Sequence, residues 1–239
     1  MGQPINMSAI LGKIKERGLF QSIKRFPYMP YDMNMALNVV DAIGKERSAK
    51  FAIDAENRFT YENMIRWVHG DPEMKCLNPD TKEIIPGRLN AGIYIAGNTG
   101  SGKSWVLEIM AAYSLIDNVQ VTVGDTQRCL YWGNVRTDVM CDEYTEQGTF
   151  DKYKKMSIVG IQDLGAEPAE SMYMGNRVNV MRQILEYRGD QTDQITLITS
   201  NFPMSHKTFL ERYDGRVASR LREMCNYFEI KGTDRRKLL

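Results

Sequence analysis

The stretch "AGIYIAGNTGSGKSWVLEIM" (residues 91–110) constrains the fold of this chain more than any other. Gly97, Gly102, Lys103 and Ser104 occupy the fixed positions of the pattern G-x-x-x-x-G-K-[ST]. The apolar run "GIYIA" precedes this loop, and a helical pattern follows it. A glycine-rich loop in this context turns its backbone N–H groups towards one point, and the helix adds its positive end. The stretch therefore predicts a site for the phosphates of a nucleotide.

The loop predicts specific roles for its last residues. Lys103 is expected to reach the β- and γ-phosphates, and the Ser104 hydroxyl is expected to bind Mg²⁺. ATP and Mg²⁺ are therefore the expected cofactors. The expected nucleotide-binding residues are Gly97, Asn98, Thr99, Gly100, Ser101, Gly102, Lys103, Ser104 and Trp105.

Short apolar runs alternate with helical patterns from Ala91 onwards, which predicts βαβ units and a mainly parallel sheet. The expected class is an α/β P-loop NTPase. The apolar runs cover residues 91–96, 119–123, 156–161, 195–199 and 226–230, and the helical patterns cover residues 103–116, 137–147, 175–188 and 205–224.

The N-terminal part has a different pattern. Residues 8–25 predict a basic amphipathic helix, or two short helices because Gly18 interrupts the pattern. Helices are also expected over residues 33–51 and 60–68, the second capped by Thr60. We therefore expect residues 1–87 to form a small helical region for partner binding or linkage, and residues 88–239 to form the ATPase core.

Two of the later apolar runs end in polar residues that suit nucleotide chemistry. "SIVGIQDLG" ends in Asp163, and "QITLITSN" ends in Asn201. Ligands of open α/β sheets bind at the carboxyl ends of the strands. Asp163 is therefore a candidate magnesium ligand, together with Ser104, and a candidate catalytic carboxylate that activates water. Asn201 is a candidate sensor, a side chain that hydrogen-bonds the attacking water or the γ-phosphate.

The last helical pattern, "FLERYDGRVASRLREM", is rich in arginine. Arg212, Arg216 and Arg220 are spaced so that one helical face would carry all three. This face is either a salt-bridged surface or the source of an arginine that reaches a neighbouring subunit's γ-phosphate. The second function requires arginine because its charge is permanent and its guanidinium donates several hydrogen bonds.

Composition excludes several classes of protein. The 239 residues are 43% hydrophobic and carry a net charge of +1, so any attraction to nucleic acid must come from local patches. Four cysteines without a C-x-x-C pair and only two histidines argue against a disulfide framework or a metal enzyme. No apolar run approaches the roughly 20 residues that cross a bilayer. We expect a cytoplasmic protein without membrane contact.

The phrases "GNTGSGKS", "IVGIQDLGAEP", "ITLITSN" and "RVASRLREM" occur in an order that resembles the AAA+ ATPases of the DnaC/IstB group, which are helicase loaders and transposition helper proteins. The match covers residues 88–232. The resemblance implies a sheet in which the acidic and sensor strands flank the P-loop strand. It also implies ATP-dependent homo-oligomers around single-stranded DNA, with a replicative helicase or a transposase as partner.

The resemblance also implies the catalytic roles. Asp163 and Asn201 take the acidic and sensor roles, Arg220 is the preferred trans-acting arginine, and Arg216 is a second phosphate contact. The family has two adjacent acids where this chain has Gln162 and Asp163. Because an amide supplies no charge, we expect ATP binding with slow hydrolysis. Glu167, four residues after Asp163, is a candidate to assist.

Three functions follow from these residues. The first is an ATPase that loads or remodels a DNA-bound helicase. The second is a transposition helper ATPase that delivers a transposase to target DNA. The third is a nucleotide-binding assembly protein with negligible hydrolysis, which Gln162 alone favours. In the first case Arg235, Arg236 and Lys237 either contact DNA phosphates or are merely solvated.

Overall fold

The computed structural model describes residues 7–16, 23–25, 28–123, 126–232 and 234–235. It is a mixed α/β structure built on a seven-stranded, mostly parallel sheet. The helices are α1 (Met7–Glu16), α2 (Met33–Arg47), α3 (Arg58–His69), α4 (Lys103–Tyr113), α5 (Thr137–Gln147), α6 (Asp151–Lys155), α7 (Val180–Gly189) and α8 (Lys207–Met224). The strands are β1 (Lys24–Arg25), β2 (Lys75–Leu77), β3 (Ile84–Pro86), β4 (Gly92–Gly97), β5 (Gln120–Val123), β6 (Thr126–Cys129), β7 (Asn134–Arg136), β8 (Ile158–Leu164), β9 (Ser171–Tyr173), β10 (Asn176–Val178), β11 (Ile195–Ser200) and β12 (Cys225–Ile230).

The strand order of the central sheet is β3-β2-β12-β4-β11-β8-β7. Strands β12, β4, β11, β8 and β7 pair in parallel, whereas β2 and β3 extend the β12 edge in antiparallel fashion. The expectation that the acidic and sensor strands flank the P-loop strand is wrong in one respect. Strand β11, the sensor strand, lies between the P-loop strand β4 and the acidic strand β8, because helical crossovers let the chain skip a strand position.

The central strands are buried on both faces, which is why they appear in the sequence as nearly continuous apolar runs. Side chains of β4 alternate between two hydrophobic cores. Ile93 and Ile95 pack in one core with α2, α3 and α4, and Tyr94 and Ala96 pack in the other with α5, α7 and α8. The sheet is therefore covered by helices on both sides.

The N-terminal part packs onto the part of the chain that contains the P-loop. Leu37 and Val40 of α2 and Met64 and Trp67 of α3 belong to the first core. The Trp67 indole donates a hydrogen bond to the Ala91 carbonyl at 3.0 Å, which fixes α3 to the start of β4. Strands β2 and β3, in a stretch rich in turn residues, join the central sheet. The division at residue 87 thus falls inside continuously packed structure and stays a prediction about function.

Several local expectations are corrected. Helix α3 begins at Arg58, before Thr60, which is buried within the helix and does not cap it. Strand β5, which covers the apolar run at residues 119–123, lies outside the central sheet and pairs with β1 and β6. The strand at the edge of the central sheet, beside β8, is β7. The helix predicted from residue 175 begins at Val180, where Asn179 accepts a hydrogen bond from the Arg182 N–H.

The N-terminal helix is described as α1, Met7–Glu16. Gly18, where the basic pattern is interrupted, lies outside the described residues, as do Arg236 and Lys237. All four cysteines are free. Within the ranges that the structure describes, no helix is both long and apolar enough to cross a membrane.

The buried His69 predicts a loss of stability in mild acid. Burial lowers the pKa of His69, and the nearby Asp117 and Asp71 only partly oppose this shift. The unfolded chain takes up a proton near pH 6.5 and the folded chain resists it, so stability is complete above pH 6.5 and falls as the pH drops towards the folded pKa. Urea unfolding between pH 8 and pH 5 should show this loss.

His69→Gln should flatten this pH dependence, although the variant is less stable because it loses the Tyr31 ring stacked at 4.2 Å. The control is His206→Asn, which removes the other histidine and keeps an acceptor at the N-terminus of α8. A slope that persists in His69→Gln and disappears in His206→Asn would contradict the assignment.

Candidate nucleotide-binding site

The P-loop connects the end of β4 to the start of α4, as the sequence predicts. Gly100 and Gly102 have φ values of 78° and 94°, in the left-handed region that glycine adopts without strain. A Cβ atom on Gly100 would also collide with the Asp234 carboxylate. The loop conformation therefore requires glycine at this position.

Lys103 lies between the P-loop and the sensor strand. Its side chain is buried, with 4% of the residue exposed. The Lys103 Nζ donates hydrogen bonds to the Asn98 carbonyl at 2.8 Å and to Asn201 Oδ1 at 2.9 Å. The two residues assigned to phosphate contact and sensing are thus in direct contact, although 98 positions separate them.

Asp163 occupies the end of β8 in a left-handed conformation with φ of 61°. This conformation is uncommon for a residue other than glycine and marks a backbone that its surroundings hold in place. The Thr199 hydroxyl accepts a hydrogen bond from the Asp163 N–H at 3.0 Å, and the Thr137 hydroxyl donates to the Asp163 carbonyl at 3.0 Å. Strand β11 and the start of α5 therefore hold the backbone that carries this carboxyl group.

A cavity of about 490 Å³ lies in front of these residues. It brings together most of the predicted site: Thr99, Gly100, Gly102, Lys103, Ser104, Trp105, Asp163 and Asn201. Four charged residues that no sequence pattern assigns to this site also line it, namely Arg47, Glu108, Arg136 and Arg235. Of these, Arg235 is predicted from the sequence as a DNA contact instead. Gln162 and Ala166 complete the lining.

The donor set of the cavity suits a nucleotide and magnesium. Ser101 is 1% exposed, and its hydroxyl has no hydrogen-bond partner within the described part of the chain. Such an orphaned polar atom in the P-loop, two residues before Lys103, suits a phosphate oxygen. Mg²⁺ prefers oxygen ligands and is usually held by one or two carboxylates together with substrate phosphates and water. The Ser104 hydroxyl and the Asp163 carboxylate provide such ligands.

Arg235 ties the C-terminal segment to the P-loop. Its backbone N–H donates to the Gly100 carbonyl at 2.9 Å, and its guanidinium donates to the Ser101 carbonyl at 3.2 Å. The guanidinium also binds both carboxylate oxygens of Asp54, at 2.9 and 2.8 Å. No pattern in the sequence could reveal these contacts, because more than 130 positions separate Arg235 from each partner.

Arg136 also lines the cavity. It lies beside Gln162 in the register of β7 and β8. Its guanidinium donates two hydrogen bonds to Asp138, at 3.1 and 2.7 Å, and holds the pKa of that carboxyl group below its usual value. Asp138 is therefore charged at neutral pH and restrains Arg136 at the rim.

The three arginines that the sequence pattern places on one face, Arg212, Arg216 and Arg220, do not share a face of α8. Asp214 interrupts the helix with φ of 66° and ψ of 172°, and its carboxylate caps the second half by accepting from the Arg216 and Val217 N–H groups. Arg212, before this kink, binds the buried Glu167 carboxylate at 3.2 Å. The prediction of one shared face from the i, i+4, i+8 spacing is wrong, because it requires an uninterrupted helix.

Glu167 is held away from the nucleotide cavity by a buried network. Its carboxylate accepts hydrogen bonds from Arg212, from the Tyr213 hydroxyl and, at 2.9 Å, from the Gly165 N–H. Glu167 does not line the cavity in front of Lys103. The expectation that it assists Asp163 finds no support in this geometry, and its contacts are those of a structural residue.

Arg216 and Arg220 line a second, open cavity of about 630 Å³. Arg216 is exposed, whereas Arg220 is partly buried and binds Asp190 and the Glu186 carbonyl. Neither residue belongs to the lining of the nucleotide cavity of the same chain. Within one copy, the structure does not bring these predicted catalytic arginines to the P-loop.

Comparison with known proteins confirms the fold. No protein-family model matches the chain, and no curated protein matches it. A candidate primosome component from Streptococcus pyogenes serotype M3 is similar in structure, with 18% identity, 78% of this chain and 86% of that chain covered, and a TM-score of 0.51. The predicted α/β P-loop fold is thus the fold of this chain.

Two further solved structures match at lower similarity. The DnaC helicase loader has 15% identity and a TM-score of 0.45, over 77% of this chain and 95% of that one. DnaA from Aquifex aeolicus, bound to AMPPCP, has 18% identity and a TM-score of 0.44, over 75% of this chain and 48% of that one.

The Glu167 network predicts a stability effect. Arg212→Leu leaves a carboxylate that is only 1% exposed without its cationic partner. Breaking a fully buried pair costs about 3–5 kcal/mol, and we expect about 2–3 kcal/mol here because Arg212 is 20% exposed. Chemical denaturation measures this loss.

The control is Arg182→Leu, which removes a more exposed arginine paired with Glu186 and Asp214. It should cost less than 1 kcal/mol per pair, as exposed ion pairs do. Equal losses in the two variants would show that Glu167 does not depend on Arg212.

Proposed function

We propose that this chain is an ATP-binding, slowly hydrolysing AAA+ ATPase that assembles on single-stranded DNA and loads or remodels a replicative helicase. The observation that carries the ATPase part is the convergence of Lys103, Asp163 and Asn201 on one cavity behind a P-loop. Four motifs in the order of the DnaC/IstB group carry the choice of process. The four free cysteines suit a reducing compartment, the cytoplasm.

In this mechanism the chain positions the triphosphate and the attacking water. The P-loop N–H groups and Lys103 bind the phosphates, and Lys103 exchanges its bond to Asn201 for the γ-phosphate. Asn201 is then available to orient water, and Asp163 accepts a proton from that water. A magnesium ion held by Ser104 and Asp163 would supply positive charge at the phosphate oxygens.

Slow hydrolysis follows from the single carboxylate at the end of β8. Gln162 occupies the position of the first family acid and is 8% exposed, so its uncharged amide lies inside the site. Asp163 must then serve both the metal and the water. We expect a turnover well below ~10 s⁻¹, the typical value for enzymes.

Arg216 and Arg220 act in this proposal on the nucleotide of a neighbouring copy in an ATP-dependent homo-oligomer. Their location in a separate, open cavity supports action in trans rather than in cis. Arg216 is the more accessible of the two, because Arg220 is held by Asp190. We therefore prefer Arg216 as the γ-phosphate contact, with Arg220 as a second phosphate contact. A transposase instead of a helicase as partner remains an outcome of the experiments below.

An assembly protein with negligible hydrolysis is the second candidate, and one contact favours it. The Gln162 amide is not solvated but donates to Glu108 at 3.1 Å, so an uncharged group is built into the site. In that case ATP binding alone would drive assembly. Single-turnover hydrolysis in the presence and absence of DNA separates the two candidates.

Lys103→Ala should abolish ATP binding or reduce it by at least about tenfold, because it removes the cation that faces the phosphates. Fluorescent ATP-analogue titration measures the affinity. The control is Lys207→Ala, which removes a lysine whose side chain is 86% exposed and which lies outside the nucleotide cavity. Normal ATP binding and turnover by Lys103→Ala would overturn the site assignment.

The full chain should bind single-stranded DNA more tightly with ATP than without, and the affinity should fall as salt rises. Fluorescence anisotropy at several salt concentrations measures this.

Pull-down with the full chain as bait should recover a replicative helicase. Recovery of a transposase would support the helper function instead, and absence of DNA binding at low salt would contradict both.

A further inference from the structure

Glu108 contacts Gln162, the residue that stands where the DnaC/IstB group has its first acid. The Gln162 Nε2 donates a hydrogen bond to Glu108 Oε1 at 3.1 Å, and both side chains line the nucleotide cavity. Resting on the proposed function, we propose that Glu108 is a positioning residue. It fixes the Gln162 side chain so that the amide oxygen, and not the NH₂ group, is available to the magnesium ion and its water molecules.

The location of Glu108 on α4 makes this contact possible. Glu108 follows Ser104 by four residues, so the two side chains lie on the same face of the helix, one turn apart. Ser104 is the proposed metal ligand, and Gln162 lies in β8, next to Asp163. The Glu108 carboxylate therefore reaches Gln162 from the same helical face that presents the Ser104 hydroxyl to the phosphates.

The chemistry of the two groups decides which way the amide turns. An amide has an oxygen that accepts hydrogen bonds and a nitrogen that donates them, whereas a carboxylate only accepts. Glu108 can therefore bind only the NH₂ end of Gln162. The Gln162 amide oxygen then faces away from Glu108. An oxygen is the end of the amide that suits a cation or a metal-bound water. Without Glu108, the amide could turn its NH₂ group towards the metal and repel it.

Arg47 holds Glu108 in place from the other side. The Arg47 guanidinium, at the end of α2, binds Glu108 Oε2 and lies 5.2 Å from the centre of the Trp105 ring. This partner largely neutralises the Glu108 charge, and the Glu108 side chain is 32% exposed, so solvent screens the remainder. Glu108 therefore acts by orienting the amide rather than by replacing the missing negative charge.

The test is a magnesium titration of binding to mant-AMPPNP, a fluorescent ATP analogue that is not hydrolysed. Glu108→Leu should raise the Mg²⁺ concentration at half-effect about tenfold, a typical effect of losing a group that orients a metal ligand. The affinity for the analogue without Mg²⁺ should stay within about twofold. Glu108→Gln should lose a similar part of the Mg²⁺ response, because an amide at position 108 turns its oxygen to Arg47 and offers its NH₂ group to Gln162, so it no longer selects the NH₂ end of the Gln162 amide.

Two further variants make the result specific. In a Gln162→Leu background, Glu108→Leu should have no additional effect, because the amide that it orients is absent. Glu62→Leu is the matched control: it removes a partly exposed glutamate on α3 that is paired with an arginine, and it lies outside the nucleotide cavity. It should titrate like the original chain.

Three results would overturn the inference while leaving the proposed function intact. These are an unchanged Mg²⁺ response in Glu108→Leu, an unchanged response in Glu108→Gln, and a full effect in the Gln162→Leu background, which would assign the effect to the charge of Glu108. If the original chain binds mant-AMPPNP neither with nor without Mg²⁺, the proposed function fails and this inference fails with it. Thermal unfolding of each variant confirms that it is folded before titration.

Discussion

The hydrogen bond between Lys103 Nζ and Asn201 Oδ1, 2.9 Å long, depends on the parallel pairing of β4 and β11. Ser200 lies beside Ala96 in this register, so the P-loop and the sensor residue emerge at the same edge of the sheet. Strand β8 pairs in parallel with the other side of β11 and brings Asp163 to that edge. A shift of this register would separate Lys103, Asn201 and Asp163, so these three side chains would no longer face one cavity.

The sequence predicts this arrangement in part because its strongest signals are local. The P-loop is a continuous motif, and the apolar runs of β4, β8 and β11 are buried on both faces, so each shows as a clear pattern. The strand order could not be read in the same way. Placing β11 between β4 and β8 depends on packing of helices across the sheet, which no local pattern records.

The errors have physical causes of the same kind. The spacing of Arg212, Arg216 and Arg220 predicts one face only if the helix is continuous, and the left-handed Asp214 divides it. Glu167 is near Asp163 in sequence, yet Arg212 and Tyr213 hold it in a buried network. No sequence pattern places Arg47 and Arg235 in the cavity, because they reach the P-loop region from distant parts of the chain.

These distant contacts connect the N-terminal part directly to residues that line the nucleotide cavity. Arg47 ends α2 and binds Glu108, and Asp54 binds Arg235 beside the P-loop. Any partner that displaces α2 would therefore change the surroundings of Gln162. This is a physical route by which partner binding and nucleotide state can be coupled in the proposed loader, since each would alter the free energy of the other.

The central claim is that Asp163 is the carboxylate that links magnesium to the bound nucleotide. The most direct measurement compares nucleotide affinity with and without Mg²⁺ in the original chain and in Asp163→Asn, which preserves the left-handed backbone because asparagine tolerates that conformation. The account predicts that Asp163→Asn keeps its metal-free affinity and loses most of the increase that Mg²⁺ produces. An unchanged increase would show that the metal is held elsewhere and would contradict the account.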